Sequence, residues 1–329
     1  MAAILTACPV KFWSRYLSFG VIYWLTGDGN SDSEMKTLKK RRVLNQQHEL
    51  WAPGSAAGTE ASESATDKLN IFVETEDHVS QGGARKLRNL NDTLLPEGLL
   101  AVKLASELST VVQLREQLAQ KFPQNSEETR VRYARYVLRW FFPQGFDSLP
   151  RRVWMAYGEE AIEWDILRYF YLAAEPIMAA TVADALFPLE EGMEVPSAYI
   201  DRFLLNHLGE QPTEKTRTRL KTNLMRLGFL ARSRGHPDRV SPVAPTKTGF
   251  LILVHHLFAP ETPRTLELRN ILANPFWKYI GLKSEDGVRG VLRAIQAAGL
   301  VAKYVVADQL EQVTTCLTLD EILARRARL

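Results

Sequence analysis

Apolar residues recur at the spacing of α-helices over residues 93–190, and breakers divide this stretch into separate helices. One apolar run stops at Pro123 and the next stops at Pro143. A third run, residues 161–187, is apolar on every side and is interrupted by Pro176, which is typical of a buried helix or helix pair with a break. The pattern therefore predicts a helical domain over residues 93–190.

Two later segments, 71 residues apart, share a helix-capping residue, an apolar phase and a terminal glycine. The first segment carries Thr213, Leu220, Leu224, Leu227 and Gly228. The second carries Ser284, Val291, Ile295 and Gly299 at corresponding places. Ser or Thr satisfies a free amide at the start of a helix, and glycine at its end adopts the left-handed conformation. The repeat predicts one helical unit present twice.

Each of these two helices is followed by residues that favour a β-hairpin. Four short runs are rich in β-forming residues: 229–232, 240–243, 300–306 and 312–317. Pro242 and Pro245 place the strand at 240–243 at a sheet edge, because proline cannot donate to a ladder. Supporting helices are expected upstream, at 198–208 in the first unit and at 265–272 in the second.

Helix, glycine and hairpin in this order are typical of a recognition helix followed by a wing. The sequence therefore predicts a mainly α protein, with a helical domain followed by two winged-helix-like units that carry small β-hairpin wings. The first unit is expected over residues 191–260 and the second over residues 261–329.

Charge is distributed unevenly along the chain. The net charge is only +3, yet residues 213–234 contain seven Lys or Arg against the single acid Glu214. A cationic helix face followed by a cationic wing predicts contacts with the phosphates of double-stranded DNA. The expected DNA-binding residues are Lys215, Arg217, Arg219, Lys221, Arg226, Arg232, Arg234 and Arg239. The alternative interpretation is a solvated charged face.

The second helix is less basic. Its main cations, Arg289 and Arg293, are opposed by Glu285 and Asp286. We therefore expect the second unit to serve packing or dimerisation rather than DNA binding.

The N-terminal part gives weaker signals. Residues 1–51 form a segment of uncertain structure, in which the apolar stretch Phe12–Leu25 is too short in its charge-free part to span a membrane. Residues 52–92 are expected to be a largely disordered linker, because 52–67 are small and polar, with one short strand at 70–74. Cys8 and Cys316 offer neither a metal pair nor a disulfide framework, which favours a reducing, cytoplasmic compartment and no membrane partner.

Catalytic patterns are absent from the sequence. It contains no Walker-A loop, no GxGxxG after a strand, no HExxH and no paired cysteine ligands. An acidic cluster of Glu159, Glu160, Glu163 and Asp165 has the spacing of a metal site, but a solvated face is the favoured interpretation. The adjacent His255 and His256 are expected to be core or surface residues. We therefore predict no enzyme activity, no catalytic residue, no bound metal and no cofactor.

Parts of the chain resemble the BrxA family of the BREX phage-defence systems. The resemblance covers about residues 95–234 and lies in three stretches: WDILRYF at 164–170, AATVADALF at 179–187, and TEKTR to RLGFL over 213–230. It implies a small, all-helical, non-enzymatic, DNA-binding component of a prokaryotic antiphage operon, with other defence-system proteins as partners. The N-terminal segment with its linker and the second C-terminal unit depart from this pattern.

The leading functional prediction is sequence-tolerant binding of double-stranded DNA within a defence complex. A winged-helix transcriptional regulator or replication initiator would instead bind a defined site with a large specificity ratio. A protein-interaction adaptor would use the basic helix to meet an acidic partner, and a nuclease subunit would show metal-dependent cleavage. The sequence determines neither the oligomeric state nor the DNA site.

Overall fold

α-Helices make up most of the described chain, as the apolar spacing predicts. The computed structural model describes residues 90–209, 211–232, 236–307 and 310–326. The predictions for the N-terminal segment 1–51, for most of the linker 52–92 with its strand at 70–74, and for Arg234 lie outside these residues.

Within the described residues, six α-helices and a 3-10 turn at Gly145–Asp147 precede the first strand. The six helices are α1 (Leu95–Glu107), α2 (Val111–Lys121), α3 (Glu127–Phe141), α4 (Leu149–Tyr157), α5 (Glu160–Ala174) and α6 (Pro176–Ala180), which continues as a π-helical turn over Thr181–Leu186. The next elements are β1 (Glu194–Val195), α7 (Ser197–Leu208), α8 (Glu214–Arg226), β2 (Leu230–Ala231) and β3 (Asp238–Val240). The remaining elements are α9 (Lys247–Phe258), β4 (Thr265–Glu267), α10 (Leu268–Ala273), α11 (Phe276–Tyr279), α12 (Glu285–Ala297), β5 (Val301–Ala307), β6 (Leu310–Thr315) and α13 (Leu319–Arg325).

The break predicted at Pro176 is confirmed. α5 ends at Ala174 and α6 begins at Pro176, where a missing N–H costs nothing because the first amides of a helix have no partner inside it. The chain bends by 110° there. Within the described residues no single helix is long and apolar enough to span a membrane, and only α5 and α6 taken together meet that test of length and composition.

α5 and α9 form the centre of the described core. α5 contacts α1, α3, α4, α9 and α11, and its Tyr171 meets Trp140 of α3 edge to face at 5.1 Å between ring centroids. In α9 the eight consecutive residues from Thr248 to His255 are buried, and this helix also contacts α12 and α13. One cluster of buried apolar residues therefore extends from Leu90 to Leu323.

The internal repeat includes one strand more than the sequence indicated. We call Glu194–Val240 the first repeat and Thr265–Thr315 the second repeat. The same offset of 71 residues relates the starts of β1 and β4, the starts and ends of α8 and α12, and the starts of β2 and β5. Helix α7 corresponds to α10 and α11 together, because Pro275 breaks the helix in the second repeat.

Both repeats contain a three-stranded antiparallel sheet of the same order. In the first repeat β3 lies between β1 and β2, with Leu230 opposite Val240 and Val195 opposite Asp238. In the second repeat β6 lies between β4 and β5. The strand before the helices thus pairs with the last strand of the hairpin in each case.

Three details of the predicted strands and helices are wrong. The strand expected at 240–243 lies at 238–240 and occupies the middle of its sheet; because it ends before Pro242, the prolines do not restrict it. The helix expected at 265–272 begins only at Leu268. Residues 265–267 instead form β4, since their partners in β6 complete the ladder.

The two capped helices end with the same hydrogen bonds. Gly228 and Gly299 have φ angles of 86° and 70°, in the left-handed region. Phe229 N–H donates to Leu224 O at 2.9 Å, and Leu300 N–H donates to Ile295 O at 3.1 Å, which closes both helices in the same way. The predicted caps are also confirmed, because the Thr213 and Ser284 hydroxyls accept from the amides three residues later.

The interpretation of the acidic cluster as a solvated face is wrong for two of its members. Glu163 and Asp165 are buried, with 0% and 2% of their surface exposed. Asp165 has partners: it pairs with Arg168 at 3.0 Å and accepts from the amide and hydroxyl of Thr246 at 2.7 Å. Both carboxyl oxygens of Glu163 lack a hydrogen-bond partner among the described residues.

We predict that Glu163 makes the stability of the fold depend on pH. Burial raises the pKa of the Glu163 carboxyl well above its ordinary range. The folded state therefore holds this proton more tightly than the unfolded chain, so the resulting stabilisation is full below the ordinary pKa of about 4.3 and is lost as pH rises through the raised pKa. At pH 8, Glu163→Gln should raise the free energy of unfolding by about 1–3 kcal/mol, with a smaller gain at pH 5.

Urea unfolding at both pH values measures this difference. Glu160→Gln is the matched control, since Glu160 is exposed and its ion pair with Lys103 lies at the surface. A gain of equal size at the two pH values would show that Glu163 is not the titrating group.

Candidate nucleic-acid interface

Helix α8 packs one face on the core and leaves another open. Leu220, Leu224 and Leu227 are almost fully buried, as their spacing predicts. At 100° per residue the opposite face carries Lys215, Thr218 and Thr222. Lys215 and Thr218 are exposed, and Thr222 is partly so. The outward surface of α8 is therefore polar and bears one lysine at its N-terminal end.

Arg226 and Arg232 extend this open surface toward the hairpin. The Arg226 side chain is 49% exposed, and its nearest acidic partner, Asp92, is 4.0 Å away. Arg232 follows β2, is exposed and forms no ion pair within the described residues. Like Lys215, these are predicted cations that the structure leaves accessible.

Arg217 and Lys221 face the interior of the first repeat. Arg217 Nε donates to Asp201 of α7 at 2.5 Å, and Arg217 also pairs with Glu214. The hydrogen bond with Asp201 raises the pKa of Arg217. Lys221 Nζ lies 3.2 Å from Asp238 of β3 and is only 17% exposed.

The second repeat supports this assignment of Arg217 and Lys221. The residues 71 positions later are Val288 and Leu292, both buried in α12. These two positions of the capped helix therefore point inward in both repeats. In the first repeat they carry cations that are neutralised by acids on the adjoining helix and strand, so they hold α8 to α7 and β3.

Arg219 lies between the open face of α8 and the segment that precedes α1. Its guanidinium donates to Leu90 O at 2.7 Å and lies 3.5 Å from Asp92. Asn223, one turn later, donates to Asn91 O at 2.7 Å. The end of the predicted linker, residues 90–92, thus runs along one edge of α8.

Arg239 is on the hairpin and remains accessible. It pairs with Glu194 at 3.0 Å across the β1–β3 ladder, and both side chains are about half exposed. Because an exposed ion pair contributes little stability, a phosphate can replace this carboxylate at small cost.

The second repeat offers fewer free cations, as its sequence indicates. Arg289 donates to Glu311 at 2.9 Å and also pairs with Glu285 and Asp286. Arg293 is exposed and forms no ion pair among the described residues. α12 therefore has one accessible arginine, whereas the first repeat exposes several of the predicted cations.

No family model, curated protein or solved structure matches the chain. The resemblance to the BrxA family therefore stays a prediction.

Sequence reasoning missed the groups that neutralise several of the predicted cations. Asp201 and Asp238 belong to other elements of the first repeat, and Asp92 precedes α8 by more than 120 residues. Only the fold brings these carboxylates to α8. The arginines on α3 were also not among the predicted functional residues. Three of them are exposed on one face of that helix.

The residues considered for metal or acid–base chemistry do not form a site. Within the described part of the chain, no group of three or more His, Cys, Asp or Glu has the geometry to hold a metal ion. His255 is buried in α9, with Nδ1 3.0 Å from Leu251 O. His256 packs against Phe170 at 5.8 Å, and burial lowers its pKa to about 4. Both histidines belong to the core.

Proposed function

We propose that this protein binds double-stranded DNA through α8 and the β2–β3 hairpin, which together form the first of two winged-helix units. The observation that carries the proposal is the repeated order of strand, helices, capped helix and hairpin, with the first strand paired to the last in both repeats. This is the arrangement in which a helix–turn–helix pair is supported by a small sheet. The second helix of such a pair enters the major groove.

The dimensions and surface of α8 suit that role. Its 13 residues span about 20 Å, and the major groove of about 12 Å width admits one helix. The open face presents Lys215, two threonines and Arg226, which are side chains that contact phosphates and base edges. Arg232 and Arg239 follow on the hairpin, where a wing meets the flanking backbone.

The second repeat has a supporting role in this proposal. Its capped helix keeps Arg289 in a cluster with three carboxylates, so it contributes less to the attraction of a polyanion. We propose packing or dimerisation for it, and sequence-tolerant binding for the protein as a whole. Membership of an antiphage system is carried only by the resemblance of residues 95–234.

The salt dependence of binding tests the proposal. Lys215, Arg226, Arg232 and Arg239 are exposed, and each phosphate contact contributes about −0.9 to the slope of log affinity against log salt. We therefore expect a slope of roughly −4 or steeper for the full chain on a duplex of about 20 base pairs, between about 50 and 200 mM salt.

Fluorescence anisotropy of a labelled duplex measures this slope. A value near zero, or no binding at the lowest salt, would reject the proposal. Cleavage of the duplex on addition of Mg²⁺ would favour the nuclease alternative. A single preferred sequence bound more than a thousandfold tighter than the rest would favour the regulator.

A further inference from the structure

Helix α3 carries three exposed arginines on one face. Arg132, Arg135 and Arg139 are spaced i, i+3 and i+7, so they lie above one another along the helix. They cover about 10 Å of its length at 1.5 Å per residue. The opposite face, which includes Val137, Trp140 and Phe141, is buried in the core.

Few described contacts account for these arginines: Arg132 has one aromatic contact, with the ring of the adjacent Tyr133. None of the three forms an ion pair within the described residues, and Glu128, one turn earlier on the same face, is not within ion-pair distance of Arg132. Arg130 of the same helix behaves differently. It donates to the carbonyls of Ala119 and Gln124 and so closes the end of α2.

The arginine row of α3 lies near α8 at its Arg132 end, where the Arg132 guanidinium is 5.9 Å from the centroid of the Tyr133 ring. Tyr133 of α3 donates its hydroxyl to Asp92 at 3.1 Å, and the same carboxylate lies 3.5 Å from Arg219 and 4.0 Å from Arg226. Asp92 therefore lies at the boundary between α3 and α8. The charges of Arg132 and Arg219 both lower the pKa of Tyr133, although its burial and Asp92 raise that pKa overall.

Two observations favour a nucleic-acid backbone as the partner of this face. All three exposed cations are arginines, whose planar guanidinium matches a phosphate and binds it through two hydrogen bonds. Their row of about 10 Å corresponds to roughly three base-pair steps of 3.4 Å along one strand. A row of this kind follows a strand without reading its bases.

We propose that α3 is a second DNA-contacting surface, whose Arg132, Arg135 and Arg139 bind phosphates of the duplex beside the groove that α8 occupies. This inference rests on the proposed function. It adds that the helical body, and not only the first repeat, holds the DNA. Three phosphates on this side would steepen the salt slope beyond the contribution of α8 and its hairpin.

The test compares two triple variants of the full chain on the same duplex of about 20 base pairs. We expect Arg132→Ala, Arg135→Ala and Arg139→Ala together to weaken binding about tenfold at 50 mM salt and to flatten the slope by about 2 to 3. The control removes the same charge from three exposed cations elsewhere, by Lys247→Ala, Arg264→Ala and Arg325→Ala. It should leave both quantities close to those of the wild type.

Each possible result either supports or contradicts the inference about α3. Wild-type affinity and slope in the α3 variant would overturn the inference and leave the proposed function standing. Equal losses in both variants would also overturn it, because net charge alone would then account for them. Failure of the wild type to bind would overturn the proposed function itself. If the alanine variant is less stable than the wild type, Arg132→Gln, Arg135→Gln and Arg139→Gln, which remove the charge but keep a polar, unbranched side chain, replace it and are judged by the same criteria.

Discussion

Replacing Gly281 with alanine is expected to lower the free energy of unfolding by about 3 kcal/mol or more. Gly281 has a φ of 101°, a conformation that side chains rarely adopt. A Cβ at this position would lie 2.5 Å from Cβ of Val243 and 2.6 Å from its backbone oxygen. The residues that follow β3 would have to move away from those that follow α11, so the packing of Val243 against Gly281 would be disrupted.

Gly290→Ala is the matched control, with an effect of opposite sign. Gly290 lies inside α12, and an added Cβ would have no atom within 4 Å. Alanine in the interior of a helix is more stable than glycine by about 0.5–1 kcal/mol. Urea unfolding of the two variants therefore compares the same chemical change at two sites. Similar stabilities would show that the close approach of Gly281 and Val243 does not exist in solution.

The sequence predicts the parts of the fold that depend on neighbouring residues. Thr213 and Ser284 cap their helices, Gly228 and Gly299 end them, and Pro176 breaks a helix, all within one turn of chain. These preferences come from local backbone chemistry, so one chain is enough to recognise them. The common offset then makes the repeat visible.

Strand pairing was harder to predict because it depends on distant partners. β1 has only two residues, and β4 has three that also fit a helical pattern. Each becomes a strand because the last strand of its hairpin lies beside it, some 45 residues later. Both runs are too short for their alternation of polar and apolar residues to mark a strand in the sequence.

The candidate site shows the same division between local and distant information. The sequence identifies a basic helix, but the neutralisation of Lys221 by Asp238 and of Arg217 by Asp201 depends on the fold. For the same reason, Asp92 places α3 next to α8, although their basic residues are 76 or more positions apart. By contrast, the spacing of Arg132, Arg135 and Arg139 is visible in the sequence and by itself predicts that they share one helix face.

The largest expected effect on binding concerns the accessible cations of the first repeat. Lys215→Ala, Arg226→Ala and Arg232→Ala together should weaken duplex binding roughly 30-fold or more at 50 mM salt, because three phosphate contacts are lost. The fold should persist, since none of the three lies on the buried face of α8. Arg217 and Lys221 are left in place because their ion pairs hold α8 to its own repeat.

The salt slope of this variant tests most directly whether α8 and its hairpin meet the DNA. The slope should be flatter than that of the wild type by about 2.5 to 3, whereas Lys247→Ala, Arg264→Ala and Arg325→Ala should leave the slope unchanged. Parallel lines for the wild type and the Lys215, Arg226 and Arg232 variant, with both proteins equally folded, would contradict the account.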